Sequence, residues 1–289
     1  MQNYYNYHKL NQSDIPLRLQ QLDKPPKQLF VFGSSLDDLI NKIPTVAIVG
    51  SRKPTPYGKE VTTELSKDLA KQGVSIVSGL AFGIDSIAHK ACLSVGGKTI
   101  AVLPSALNDI YPKTHRPLAE DILNSGGSLV SEFPESAPIL KSNFIARNRL
   151  ISGLADIIIV TEATEKSGTI HTANFGLAQA KTVMAVPGSI LSPYSKGTNN
   201  LIKAGALPIT STSDVLFELG ISQTQSTQII ASNSEEYIIL ELLKSGVRDG
   251  FKLQQDSKLT PQVFNQTLTM LEINGQIYPM GNNQWAISK

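Results

Sequence analysis

The chain has 289 residues, 41% hydrophobic and 17% charged, which is ordinary for a folded globular protein and excludes disordered or fibrous classes. Its 26 Lys plus Arg against 24 Asp plus Glu leave a formal net charge of +2, so a surface for a polyanion must come from local clustering of cations. A single cysteine, Cys92, excludes an internal disulfide framework and a cysteine-rich zinc site, and points to a reducing compartment.

The start, Met1-Gln2-Asn3-Tyr4-Tyr5-Asn6-Tyr7-His8-Lys9, lacks the basic and then apolar pattern of a secretory signal, and no run of about 18 apolar residues occurs, so a cytoplasmic location without membrane contact is expected. Residues 1–44 read as an N-terminal extension packed on the α/β domain that follows. That domain, 45–220, opens with a strand from Thr45 to Gly50, whose core Val46-Ala47-Ile48-Val49 is continuously apolar, as in a strand buried on both faces.

Gly50-Ser51-Arg52 closes the strand and Gly58 opens the next helix. Ligands of open parallel sheets collect beyond the carboxyl ends of the strands, and helix-start amides favour anions. Ser51 adds a hydroxyl and Arg52 a planar fork suited to phosphate, although a plain turn with a solvated Arg52 needs the same residues. The stretch lacks G-x-G-x-x-G, and Pro54 and Pro56 intrude, so neither NAD nor any other cofactor is expected.

Tyr57 to Gln72 fits a helix, with Val61, Leu65 and Leu69 at helical spacing and Gly73 as its stop. A strand from Val74 to Ser78 runs into Ser78-Gly79-Leu80-Ala81-Phe82-Gly83-Ile84-Asp85, where Gly79 and Gly83 permit close backbone approach and Asp85 suits a cap for a helix from Gly83 to Val95. Turns and caps need these residues anyway. His89 on that helix has no second histidine nearby and reads as a helix residue, not a metal ligand.

Strands follow at Thr99 to Leu103 and Ser128 to Ser131. Next comes Lys141-Ser142-Asn143-Phe144-Ile145-Ala146-Arg147-Asn148-Arg149, with three cations, one aromatic and no acid. In a helix Lys141, Phe144 and Asn148 share one face, while Arg147 and Arg149 project to opposite sides of it. A ring for an unstacked base beside cations for the backbone is what a single-strand binder needs; the bland alternative makes Phe144 core and the charges solvated.

After a strand from Asp156 to Thr161, Ser167, Gly168 and Thr169 open another helix, so their amides suit a phosphate as well as plain capping. His171 stands without a Ser or Cys nucleophile and acidic orienter, and is expected to be a polar contact. The strand Thr182 to Val186 completes a βα alternation that predicts a mainly parallel, doubly wound, Rossmann-like sheet.

Around Gln223-Thr224-Gln225-Ser226-Thr227-Gln228 the pattern is lost, and 221–234 reads as a linker. In the final domain, 235–289, three short helices (Glu235 to Lys244, Leu253 to Leu259, Pro261 to Asn274) precede a β-ribbon of Gln276 to Pro279 and Trp285 to Ile287, the order of a winged helix. Its third helix holds no Lys or Arg, and from Gln223 onward 5 basic face 6 acidic side chains, which suits protein contact better than duplex reading.

Together, Gly50-Ser51-Arg52, Ser78 to Asp85, Phe144 to Leu154, Glu162-Ala163, Ser167-Gly168-Thr169 and Ala185-Val186-Pro187-Gly188 closely resemble the DNA-processing protein A family, DprA or Smf, over about residues 12 to 220. The resemblance implies a non-enzymatic homodimer that binds single-stranded DNA during natural transformation and recombination, shields it from nucleases and delivers it to the recombinase RecA. Carried over by motif, its basic pocket uses Gly50, Ser51 and Arg52, then Lys141, Phe144, Arg147, Asn148 and Arg149, and lastly Ser167, Gly168 and Thr169, with Ser78, Gly79 and Gly83 from the second turn.

The chain departs from the family at Val102-Leu103-Pro104-Ser105-Ala106-Leu107-Asn108, where a glycine-containing turn usually precedes the pair equivalent to Tyr111-Pro112, and with residues 1–44 alone before the first strand the N-terminal helical module of many members is not expected. The competing enzyme is a nucleoside-monophosphate phosphoribohydrolase of the lysine-decarboxylase-like group. Its loop requires a catalytic glutamate where this chain has Thr172, and a hydroxyl cannot replace a carboxylate in acid/base work near neutral pH.

Overall fold

In the computed structural model, which describes residues 7–221 and 233–287, the apolar runs become strands covered on both faces. The chain divides into two units, Met1–Ser222 and Gln223–Lys289. Most of the segment read as a linker lies outside the described residues. In chain order the first unit comprises β1 (His8–Asn11), α1 (Leu17–Gln20), β2 (Gln28–Gly33), α2 (Leu36–Ile40), β3 (Thr45–Val49), α3 (Pro56–Lys71), β4 (Ser75–Ser78), α4 (Ile84–Ser94) and β5 (Thr99–Leu103). It continues with α5 (Arg116–Asn124), β6 (Ser128–Ser131), α6 (Lys141–Leu154), β7 (Ile157–Val160), α7 (Thr169–Ala178), β8 (Thr182–Ala185), α8 (Lys196–Lys203), β9 (Leu207–Pro208) and α9 (Thr212–Glu218).

These strands form one sheet in the order β1-β2-β6-β5-β4-β3-β7-β8-β9. From β6 to β9 every pairing is parallel. The Rossmann-like, mainly parallel fold expected from the βα alternation is therefore present. The N-terminal residues do more than pack on it: β2 pairs antiparallel with β6, and β1 antiparallel with β2, extending the sheet by two strands.

The two-sided burial of β3 is visible residue by residue. Val46 and Ile48 enter one core with Leu65, Leu69 and Ile84, whereas Ala47 and Val49 enter the other with Leu150, Ile151 and Leu154. Fully burying each such Leu or Ile contributes roughly 1.5–3 kcal/mol. Helix α3 begins where Thr55 accepts the Gly58 amide at 3.2 Å and Pro56 sits in the first turn, a pairing that satisfies an orphan donor and presets φ.

One topological feature positions the site. From β3 the chain winds to β4, β5 and β6 on one side, and β7 then returns to the opposite side of β3. The connections leaving β3 and β7 therefore diverge, opening a crevice at their carboxyl ends.

The second unit holds α10 (Ser234–Lys244), α11 (Gly250–Ser257), α12 (Pro261–Ile273) and an antiparallel ribbon of β10 (Ile277–Gly281) and β11 (Gln284–Ile287). Three helices before a ribbon is the winged-helix order. Its core gathers Ile239, Leu240, Leu243, Leu253, Phe264, Leu268, Leu271 and Ile277. Helix α11 starts three residues before the expected Leu253, because Asp249 caps it by accepting the Lys252 amide at 3.0 Å. Among the described residues no helix is long and apolar enough to cross a membrane.

Candidate nucleic-acid interface

The loop after β3 is fixed from β7. Glu162, 3% exposed, accepts the Thr55 amide at 3.1 Å and the Thr55 hydroxyl, and its carbonyl accepts the Ser51 amide at 2.8 Å. Glu162 thus braces both ends of the turn, Ser51 through its backbone carbonyl and Thr55 through its buried carboxylate, leaving Arg52 and Lys53 exposed. Gly83 supports the turn from beneath: its φ is +79°, and a Cβ there would stand 2.3 Å from the Ser51 carbonyl oxygen.

Helix α6 crosses above. Arg147, only 3% exposed, donates from Nη1 to the carbonyls of Gly79 and Val102 and from Nε to Asn148 Oδ1 at 3.2 Å. A Cβ on residue 79 would sit 2.2 Å from that guanidinium, so Gly79 makes room for the buried cation. Desolvation pushes Arg147 down to about 10, opposed by the nearby Asp85 carboxylate. Burial raises Asp85 in turn, opposed by Arg147 and by the Ala81 amide that it accepts at 3.4 Å. Asp85 is thus part of the buried support rather than the cap of α4, whose N-cap is Gly83.

Phe144, half-buried one turn earlier on α6, carries the Arg52 guanidinium over its ring at 5.3 Å. Tyr111 meets the same ring edge-on, with centroids 5.4 Å apart. Asn148 reaches the Gly168 carbonyl at 3.5 Å, and the Thr169 hydroxyl donates to the Gly50 carbonyl at 2.9 Å. The turns after β3 and β7 are therefore joined. Of the three amides expected to receive phosphate, that of Ser167 bonds the Thr164 carbonyl and that of Thr169 bonds Ser167 Oγ; Gly168 stands exposed.

These residues bound a cleft of about 580 Å³ at the carboxyl ends of β3 and β7. The cleft gathers Gly50, Ser51, Arg52, Phe144, Arg147 and Asn148 with Ser167, Gly168 and Thr169. Five of the expected site residues stand elsewhere. Lys141 is exposed at the start of α6. Ser78 is buried, its hydroxyl bonded to the Ile48 carbonyl at 2.6 Å, and Gly79 and Gly83 serve the packing just described. Arg149 leaves the cleft altogether: two positions beyond Arg147, it points to the end of β6 and pairs with Glu132 at 2.6 Å. Both arginines are thus held by the fold.

The cleft also includes Lys53, His171 and Tyr194, which the sequence reading did not select as binding residues. Lys53 adjoins Arg52 and was visible as a second cation; Tyr194 comes from the long connection after β8, which carries no local signal.

Fold and cleft define a class: a Rossmann-like α/β protein with a cation-rimmed groove, holding a partly exposed aromatic ring, at the switch point of its sheet. The family model for DNA recombination-mediator protein A matches residues 6–220, and the chain belongs to that family. Protein Smf of Escherichia coli is 47% identical over 174 residues, covering 60% of this chain and 46% of that protein, so the match spans about half of that relative. DNA processing protein DprA of Bacillus subtilis is 39% identical over 219 residues, 76% of this chain and 73% of its own.

Among solved structures, DNA processing protein A of Helicobacter pylori, studied for its single-stranded DNA binding mode, superposes with a TM-score of 0.68 at 34% identity. It covers 76% of this chain and 98% of that one. The X-ray structure of DprA from Streptococcus pneumoniae gives 0.68 at 39% identity, over 74% of each chain.

Proposed function

We propose that this chain binds single-stranded DNA, without base preference and without catalysing a reaction, in the cleft at the ends of β3 and β7. The observation that carries this reading is the pairing of Arg52 with the partly exposed Phe144 ring beside an open groove. Stacking on a ring and charge along the backbone are together the means by which proteins hold unpaired strands. Arg52, Lys53 and Lys141 meet phosphates, Phe144 stacks on a base, and Asn148, Gly50, Ser51 and the Ser167 to Thr169 turn supply polar contacts. Arg147 and Arg149 shape the surface.

The cellular role follows from family membership and from the strand binding described for the H. pylori relative. As a homodimer in the cytoplasm, the protein protects incoming strands and helps load RecA recombinase during natural transformation and recombination. The cation-free helix α12 suits the C-terminal unit to protein contact. The rival phosphoribohydrolase is disfavoured because Thr172, where its glutamate is required, is 2% exposed within α7.

The test is a titration of labelled oligo-dT against duplex of equal length at two salt concentrations. Tighter, salt-sensitive binding of oligo-dT supports the reading. Equal or stronger duplex binding contradicts it.

A further inference from the structure

We propose a second nucleobase subsite, formed by Phe82 and Tyr111, that takes the nucleotide next to the one stacked on Phe144; it rests on the single-strand reading of the cleft. A narrow crevice of about 40 Å³ opens between the turn after β4, which supplies Ala81 and Phe82, and the segment after β5, which supplies Tyr111 and Pro112. Arg52, Ala81, Phe144 and Arg147 line both this crevice and the main cleft, so a polymer lying in the cleft runs into it.

Two large rings stay in solvent here: Phe82 is 49% exposed and Tyr111 42%. Neither completes a core, and each is braced on one side by another ring. Tyr111 rests edge-on against Phe144, and Phe82 edge-on against His115 at 4.8 Å. His115 Nδ1 in turn meets the Leu80 carbonyl at 2.8 Å, tying the two segments together. Exposed aromatic rings, with only two side-chain torsions to fix, give stacking area at small entropic cost. The crevice is too small to enclose a base, so the base lies across its mouth, against the rings. Exposed Asp109 and Lys113 flank Tyr111 with opposite charges, so the subsite works by stacking and adds little salt dependence.

The experiment uses the full chain, with Phe82→Leu and, from the other wall, Tyr111→Leu, both keeping apolar volume, and with thermal melts confirming the fold. Thymidine 5'-monophosphate, which fills the Phe144 position alone, and an oligo-dT of about eight nucleotides are titrated, and a 5-iodouracil oligonucleotide is photocrosslinked to the wild type. The expected result is mononucleotide affinity within about two-fold of wild type, octanucleotide affinity lower by about five-fold or more with an unchanged salt slope, and an adduct on Phe82 or Tyr111. A wild type that binds the octanucleotide, variants that bind it equally well and no adduct on either ring would overturn the subsite alone. A wild type that does not bind the octanucleotide would overturn the cleft reading, and this proposal with it.

Discussion

The Arg52 guanidinium lies over the Phe144 ring, 5.3 Å from its centre, so the cation and the aromatic group that a single strand requires form one unit. On the proposed binding mode, a base stacking on that face would move Arg52 off the ring and toward a phosphate. Phe144→Ala should therefore cost roughly 1–3 kcal/mol of oligo-dT affinity, with Phe144→Leu as the control for packing. Because the two groups touch, the losses from Arg52→Ala and Phe144→Ala should differ from additivity by about 0.5 kcal/mol or more in a double-mutant cycle read by fluorescence anisotropy.

Arg149 offers the opposite expectation. Its pair with Glu132 is partly buried, with side-chain exposures of 11% and 20%, and truncation leaves that carboxylate without its partner. Arg149→Ala should lower the stability of the first unit by about 1–3 kcal/mol in urea unfolding, with oligo-dT affinity and its salt slope unchanged. A lost phosphate contact would show as a reduced slope.

Glu162 acts on the binding turn at one remove. It accepts both the amide and the hydroxyl of Thr55, and charged acceptors make the stronger hydrogen bonds. Glu162→Gln should cost about 1–3 kcal/mol of stability and weaken oligo-dT binding several-fold through the displaced Arg52. Thr55→Ser, which keeps the hydroxyl, should remain near wild type in the same titration.

His89 makes the domain sensitive to acid. The Thr99 hydroxyl donates to the Ile76 carbonyl at 2.6 Å and so accepts from His89 Nδ1 at 2.7 Å, which leaves Nε2 buried without a partner. Burial pushes the ring down to about 3. The folded value lies below the unfolded one, so the stabilisation is complete above about pH 6.5 and is lost as pH falls toward 3. Urea unfolding at stepped pH should show a His89 contribution to the slope approaching 1.4 kcal/mol per pH unit, about one proton, which His89→Gln removes.

Much of this architecture was legible because buried parallel strands write themselves as apolar runs: Val46 to Val49 and Ile157 to Val160 lie in the strands expected of them. Leu29-Phe30-Val31 is equally apolar, yet its strand is defined by antiparallel pairing with β6, about 100 residues along the chain, and no local pattern announces that partner. The cation-rich start of α6 pointed correctly to the cleft through Phe144 and Asn148. The same segment supplies Arg147, which lines the cleft while its guanidinium bonds carbonyls 68 and 45 residues away. A buried cation and a phosphate-binding one look alike until the fold brings the acceptors to it. Tyr111 stood out only as half of the Tyr111-Pro112 pair and not as a binding residue, for a related reason: its contact with Phe144 comes from another segment.

The central claim is that the rim cations of this cleft neutralise phosphates of an unpaired strand. Oligo-dT titrations of wild type, Arg52→Ala and Lys53→Ala, the two cations lining the cleft beside its aromatic ring, across a series of salt concentrations test it most directly. Each variant should bind more weakly and lose about 0.7 from the slope of log affinity against log salt, the value for one phosphate contact on a single strand. Affinities and slopes indistinguishable from wild type in both variants would contradict the account.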